Sequence, residues 1–414
     1  MTTEVKETEP TTQRTSVRRP YVRLALVMSG IGGPALLSLI SGPILARSLG
    51  VEERGRFALM ITLFNLAIFA LEIGLSNSIL VSTGRSGGRV ASTERRVSGI
   101  YCVTGLVGSL CAIAATAITH DYMYLLVLGM SLPAVFFNIP RGTCLAFSRT
   151  GALVFERWSQ AALRLLIVAL LAFLGVLTAS TGFIVYAGAV SLGAICLIIP
   201  WLKAPKAKPS DDFGVLRYGL TAWVAGIGST ILLRLDQLVL ARVEGPQALG
   251  LYAVAVGLSE AMLMLTSALK MNYQGQIAQQ GNASILRRPL AAVTIIGLLV
   301  ALIMAFLGRF VLTLLYGDEF AGAAMLFFVL LLAAVPGMLM DLSGGALAAL
   351  GKVAHQAKAT ALAALATVVL LVPAIMMFGA MGCAVVSLVA YLIGATYSLS
   401  GLGIWSKKPN RTSI

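Results

Sequence analysis

The chain has 414 residues, of which 58% are hydrophobic and only 12% charged, with a mean hydropathy of +0.90. That is more apolar surface than a water-soluble core of this size could hide, so the composition excludes an ordinary soluble domain and points to lipid as the solvent. The net charge of +14 is read as membrane topology and attraction to anionic headgroups; no soluble domain is present on which nucleic-acid binding could rest, and none is expected.

Residues 1–20 are rich in Thr, Glu, Gln and Arg and lack an apolar run of their own, so they read as a disordered cytoplasmic tail. The first apolar run shows no small-residue cleavage site and is expected to be retained. Windows of bilayer length then recur at roughly 22–46, 57–80, 97–118, 123–147, 157–178 and 182–202, and again at roughly 215–241, 251–270, 289–315, 320–348, 358–378 and 382–405. The expected fold is therefore an all-α integral membrane protein of about twelve spans. The expected organisation is a six-helix lobe over 21–202, a cytoplasmic linker over 203–213 carrying Lys206, Pro209, Asp211 and Asp212, a second six-helix lobe over 214–405 and a tail over 406–414.

If both termini face the cytoplasm, 25 of the 31 Lys and Arg fall on that side. Arg47, Arg54, Arg56, Arg242 and Arg309 lie opposite, and Arg234 lies within a span. That asymmetry is the positive-inside pattern and sets the orientation. Cys102, Cys111, Cys144, Cys196 and Cys383 fall inside spans and read as small apolar residues, with neither a disulfide framework nor a metal site implied. No nucleotide-cradling loop, zinc-protease helix motif or nucleophile elbow occurs, so an enzyme is not expected.

The chain repeats itself. Leu45-Ala46-Arg47-x-x-Gly50-x-x-x-x-Gly55-x-Phe57-Ala58 recurs 195 positions later as Leu240-Ala241-Arg242-x-x-Gly245-x-x-x-x-Gly250-x-Tyr252-Ala253. A weaker echo links Asn138-x-x-x-Gly142-x-x-x-Ala146-x-x-Arg149 to Asp341-x-x-x-Gly345-x-x-x-Ala349-x-x-Lys352, with Arg141 replaced by Gly344. An offset of six helices gives both copies one orientation, so their pseudo-twofold axis stands along the membrane normal and a central cavity lies between them, as in secondary transporters.

Charged side chains within spans cost about 2.5 to 3.5 kcal/mol on insertion scales and normally face a cavity or a partner. Glu72, Arg141, Arg164, Arg234, Asp236 and Asp341 are such residues. Arg141 and Arg164 lie about 10 Å inside the cytoplasmic ends of neighbouring helices by the helical rise. With Arg157 seven residues before Arg164 on the same helix face, they offer guanidinium forks suited to phosphate; the competing reading is snorkelling to headgroups. Arg234 could receive the same anion on the outer side. Residues two apart do not pair on a helix, so Arg234 and Asp236 each need another partner, and an interhelical salt bridge closing the outer mouth competes with a substrate role. Glu72, Asp236 and Asp341 are candidates for gating or for H+ or Na+ coupling, against simple hydrogen-bonded packing; no other cofactor is expected. Gly32-Gly33-Pro34 and Gly42-Pro43 mark the first helix as a mobile element.

Leu-Ala-Arg-x-Leu-Gly with Gly55 and Phe57, followed by Glu72-Ile73-Gly74-Leu75, resembles the first hairpin of Wzx-type polysaccharide flippases, and Asp236 to Tyr252 resembles their matching seventh and eighth helices. These belong to the multidrug/oligosaccharidyl-lipid/polysaccharide exporter superfamily. The resemblance implies two six-helix lobes around a V-shaped cavity and flipping of a polyprenyl-diphosphate-linked oligosaccharide across a bacterial cytoplasmic membrane during polysaccharide biosynthesis. It also implies a lipid-linked glycan, membrane lipids and other polysaccharide-assembly membrane proteins as partners. A cation-coupled multidrug antiporter on the same fold is the alternative.

Overall fold

The computed structural model describes residues 18–85, 93–147, 149–203 and 213–404. The expected N-terminal tail up to residue 17, the C-terminal tail and most of the linker between halves lie outside these residues, while residues 18–20, expected in the tail, open the first helix. Every regular element among them is helical, as lipid demands, because a helix satisfies its backbone hydrogen bonds within itself. In chain order the helices are α1 (Arg18–Glu72), α2 (Leu75–Arg85), α3 (Thr93–Thr119), α4 (Met123–Ala146), α5 (Thr150–Phe173), α6 (Ala179–Ala194), α7 (Ile198–Leu202), α8 (Phe213–Val243), α9 (Gly245–Gln280), α10 (Arg287–Tyr316), α11 (Ala324–Ala349) and α12 (Val353–Leu402).

Nine helical segments among the described residues are long and apolar enough to cross a membrane, where about twelve were expected. The difference has local causes. α1 bends at Gly50 (φ 71°, ψ 178°) into arms 18–49 and 51–72, and α12 bends at Gly379 (φ 60°, ψ −140°) into arms 353–378 and 380–402, so each reads as one long segment. α5 carries Glu156, Arg157 and Arg164 within its 24 residues and is too charged to be counted by composition. α9 also runs ten residues past the expected end at 270, through a Gln-rich stretch, and stops at Gly281 in the left-handed conformation that favours glycine.

Connections alternate between two ends of the bundle. One, the terminal end, carries the start and stop of the described chain; the other, the distal end, carries Gly50, His120, Thr178, Glu244 and Gly317. At the distal end, free helix termini find specific partners. Thr178 and Thr181 form a reciprocal capping box, and the Glu53 carboxylate accepts from the N–H of Ala179 (3.0 Å), placing an anion at the start of α6. Arg47 crosses to the other half and donates to the last carbonyls of α10, Leu314 O (2.5 Å) and Leu315 O (3.0 Å). A cation at a helix C-terminus is the favourable sign.

The core is densest around α11, 67% of whose apolar window is buried against 11% for α3, so α11 sits centrally and α3 faces lipid. One apolar cluster joins Leu240, Tyr252, Leu312, Phe327 and Leu331 to Ala46 and Ala58 of α1, so the distal core is shared by both halves. A second gathers Phe57, Phe64 and Phe183 within the first half, with Phe64 and Phe183 edge-to-face at 5.6 Å.

The two copies of the repeated motif meet each other. A Cβ added at Gly55 would collide with the carbonyl oxygen of Pro246 and lie 2.9 Å from Gly250 N; one added at Gly250 would collide with Val51 O and lie 3.2 Å from Gly55 N. Gly50 and Gly245 (φ 84°) supply the left-handed turns that precede this seam. A second seam lies nearer the terminal end. There Gly74 (φ 69°) and Gly219 abut through their backbones, and the Trp223 indole N–H donates to Phe69 O (2.8 Å) while its ring stacks on Phe69 at 5.9 Å. Between the seams Thr62 donates to Gln237 Oε1 (2.6 Å).

Candidate functional site

Along α5 the sequence places Arg157, Gln160, Ala161 and Arg164 at spacings of three and four, the spacing of one helical face. The structure turns that face into a cavity of about 290 Å³, walled by Pro34 and Ser38 of α1, Tyr186 and Val190 of α6, and Met264 of α9. Two local features bring the walls together. Gly30 and Gly33 of α1 lie directly against Val154 and the Trp158 ring of α5, where a Cβ would not fit. α1 itself runs unbroken through Pro34 and Pro43, so these glycines mediate close packing of α1 on α5, and the bend falls at Gly50.

Arg164 projects into the cavity with a short hydrogen bond from Nη2 to Ser38 Oγ, and its guanidinium carbon sits 5.5 Å from the Tyr186 ring centre. Its buried Nε has no hydrogen-bond partner among the described residues. A buried guanidinium N–H left unpartnered costs free energy until an acceptor arrives, and beside a second guanidinium that acceptor is best an anion. Arg157 lines the same space.

Arg141 stands one link behind. Its Nη2 makes a short ion pair with Glu156, whose side chain is 1% exposed, and its Nη1 donates to Asn138 Oδ1 (2.7 Å). Asn138 Nδ2 in turn donates to Glu72 Oε2 (3.2 Å), and Gln160 Nε2, on the cavity wall, donates to the same Glu156 oxygen (2.7 Å). Glu72, Asn138, Arg141, Glu156 and Gln160 thus form one continuous network from the end of α1 to the cavity.

In the second half, Arg234 faces Glu260 across to α9 (3.6 Å). Asp236 is buried and accepts from the Tyr252 hydroxyl (2.5 Å) and the Gln237 N–H (2.8 Å), so the two neighbours do find separate partners. Asp341 is paired with Lys270 (2.6 Å) on the rim of another cavity, of about 260 Å³. Arg242 is exposed at the distal end. That end also holds the largest of these cavities, about 740 Å³, lined by Glu53, Arg56, His120, Asp121, Ala241 and Pro246 from both halves.

Sequence reasoning missed Glu156, Gln160, Tyr186, Glu260 and Lys270. Glu260 was detectable, since it lies inside an expected span as plainly as Asp341 does. Lys270 fell at a span boundary set too early, and Glu156 one residue outside the expected start of its helix.

The protein-family model described as polysaccharide biosynthesis protein matches residues 24–271, more than half of the chain. No curated protein matches the sequence. Among solved structures, the fold is similar to that of the lipid II flippase MurJ in an inward closed conformation (TM-score 0.75, 12% identity, covering 91% of this chain and 87% of that one). It is also similar to an inward-facing multidrug resistance MATE family transporter of the MOP superfamily (TM-score 0.67, 15% identity, 92% and 98%) and to the MATE transporter VcmN of Vibrio cholerae (TM-score 0.63, 15% identity, 93% and 95%).

Proposed function

The chain belongs to the polysaccharide biosynthesis protein family, and from that premise we propose that it is a flippase that carries a polyprenyl-diphosphate-linked oligosaccharide from the inner to the outer leaflet of a bacterial cytoplasmic membrane. The observation that carries this reading is the first-half cavity, where Arg157 and Arg164 face one space and Arg164 keeps a buried N–H without a partner. Guanidinium forks match phosphate oxygens two at a time and hold their charge when partly desolvated. A diphosphate and its sugars cannot cross hydrocarbon unaided, whereas a polyprenyl tail stays in lipid, so a polar cavity inside the bundle serves the head alone.

With both termini cytoplasmic, the Arg157 and Arg164 cavity lies on the side where such lipids are made. Arg141 acts there as a positioning residue, because it holds Glu156 and through it Gln160 on the cavity wall. The distal glycine seam closes the outer face; its separation, with approach of the halves at the terminal end, would open the path toward the distal cavity. The ion pairs Arg234 with Glu260 and Lys270 with Asp341, and the Glu72 network, are where a coupling H+ or Na+ would act, by releasing or forming a pair that one conformation holds.

The test is a mass-spectrometric profile of polyprenyl-linked intermediates in cells lacking the gene, complemented with the intact gene or with Arg157→Ala/Arg164→Ala. One complete lipid-linked oligosaccharide should accumulate in the deletion and in the double variant at normal protein abundance, and disappear with the intact gene. An unchanged lipid pool with altered drug accumulation would transfer the assignment to a multidrug antiporter.

A further inference from the structure

The cavity of the second half occupies the position of the first, with different chemistry. Ser229 stands where the repeat offset puts the partner of Pro34, and Leu233 where it puts that of Ser38. Thr360 is the eighth residue of α12, as Arg157 is of α5, and Tyr391 lines this space from the last arm as Tyr186 lines the first from α6. Where the first cavity has two guanidinium groups, the second has hydroxyls, the Gln356 amide and one carboxylate, Asp341, already neutralised by Lys270 at 2.6 Å. Gly344 of α11 makes room for the amide: a Cβ there would lie 2.6 Å from Gln356 Nε2.

The unmet hydrogen-bonding capacity of this space is specific. Gln356 Oε1 accepts from Ser398 (3.1 Å), while Gln356 Nε2, the Tyr391 hydroxyl and the Ser229 hydroxyl have no hydrogen-bond partner among the described residues. Asp341 keeps one carboxylate oxygen beyond its ion pair. Neutral donors, a carboxylate oxygen and an aromatic ring together fit a sugar, whose hydroxyls both donate and accept and whose ring has an apolar face. A second phosphate would meet no free cation here among the described residues, a polyprenyl chain would leave the polar groups unsatisfied, and a cationic drug would find its carboxylate already paired. The volume, below the roughly 300 to 1,000 Å³ of drug-sized sites, suits one or two rings.

The two cavities are neighbours. Met264 lines the first and Leu263, the residue before it on α9, lines the second, so both cavities reach the same turn of α9. We propose that the second-half cavity is the sugar subsite of the transported lipid, holding the rings that follow the diphosphate while Arg157 and Arg164 hold the diphosphate itself; this rests on the flippase reading above.

The experiment uses the full chain in nanodiscs and two probes: a sugar-free polyprenyl diphosphate, and the lipid-linked oligosaccharide extracted from cells lacking the gene. Gln356→Leu and Tyr391→Phe should each weaken binding of the glycan-bearing lipid about tenfold, as expected when a site built to hydrogen-bond a hydroxyl loses its partner, and leave the sugar-free lipid unchanged. Gly344→Ala, which displaces the amide without altering any polar group, should show the same selectivity with an unshifted melting temperature. Equal weakening of both probes, or of neither, overturns the sugar subsite while leaving the flippase reading intact. Failure of Arg157→Ala/Arg164→Ala to weaken either probe, or absence of any accumulated lipid in the deletion, overturns both.

Discussion

Glu156 is the most enclosed charged side chain of the site, and the reason lies in its two donors. Arg141 and Gln160 converge on one carboxylate oxygen from α4 and from the next turn of α5. Removing one partner of such a pair leaves the other charge uncompensated, which typically costs about 3 to 5 kcal/mol when fully buried; Arg141 is one-third exposed, so about 2 to 3 kcal/mol is expected here. Glu156→Ala should therefore lower the melting temperature of the solubilised protein more than Glu156→Gln does. Because the residues touch, Glu156→Ala/Arg141→Ala should lose less than the sum of the single variants, by roughly 0.5 to 3 kcal/mol. Arg141 and Arg164 were legible in the sequence because charge inside a hydrophobic window is conspicuous. Their different surroundings were not, since equal depth in two helices says nothing about which faces meet.

At the scale of helices, the repeated glycines perform two jobs. Gly50 and Gly245 turn the chain, and Gly55 and Gly250 let the two turns press backbone on backbone. A side chain at the seam forces overpacking of about 1 to 3 kcal/mol, which moves a conformational equilibrium by about 5- to 150-fold. Gly250→Val should accordingly weaken distal closure, and a cysteine introduced at Leu59, on the wall of the distal cavity, should react at least several-fold faster with a membrane-impermeant maleimide than in the otherwise unaltered chain. The bends explain the helix count as well. Hydropathy resolves apolar windows and their polar breaks, and both Gly50 and Gly379 interrupt helices whose hydrogen bonding resumes within a residue.

For the molecule as a whole, the start and stop of the described chain lie at one end of the bundle, and the Lys and Arg distribution predicts that this end is cytoplasmic. A cysteine at Asp121 should be labelled by impermeant reagent in intact cells, while one at Ser406 should be labelled only after permeabilisation. Reversed labelling would invert the proposed direction of transport. The sequence by itself determined that the chain lives in lipid, that it is helical, that it is duplicated and which residues carry charge into the bilayer. Each of these follows from local composition, periodicity or self-similarity. Only the tertiary structure decided that the two motif copies touch, that Arg141 is tied to Glu156 while Arg164 faces a cavity, and that the matching cavity of the other half is neutral. Those depend on which helix faces meet, across separations from 15 residues for Arg141 and Glu156 to 126 for Arg164 and Ser38, and in a bundle buried in lipid, where nearly every face is apolar, hydrophobic pattern alone does not choose among them.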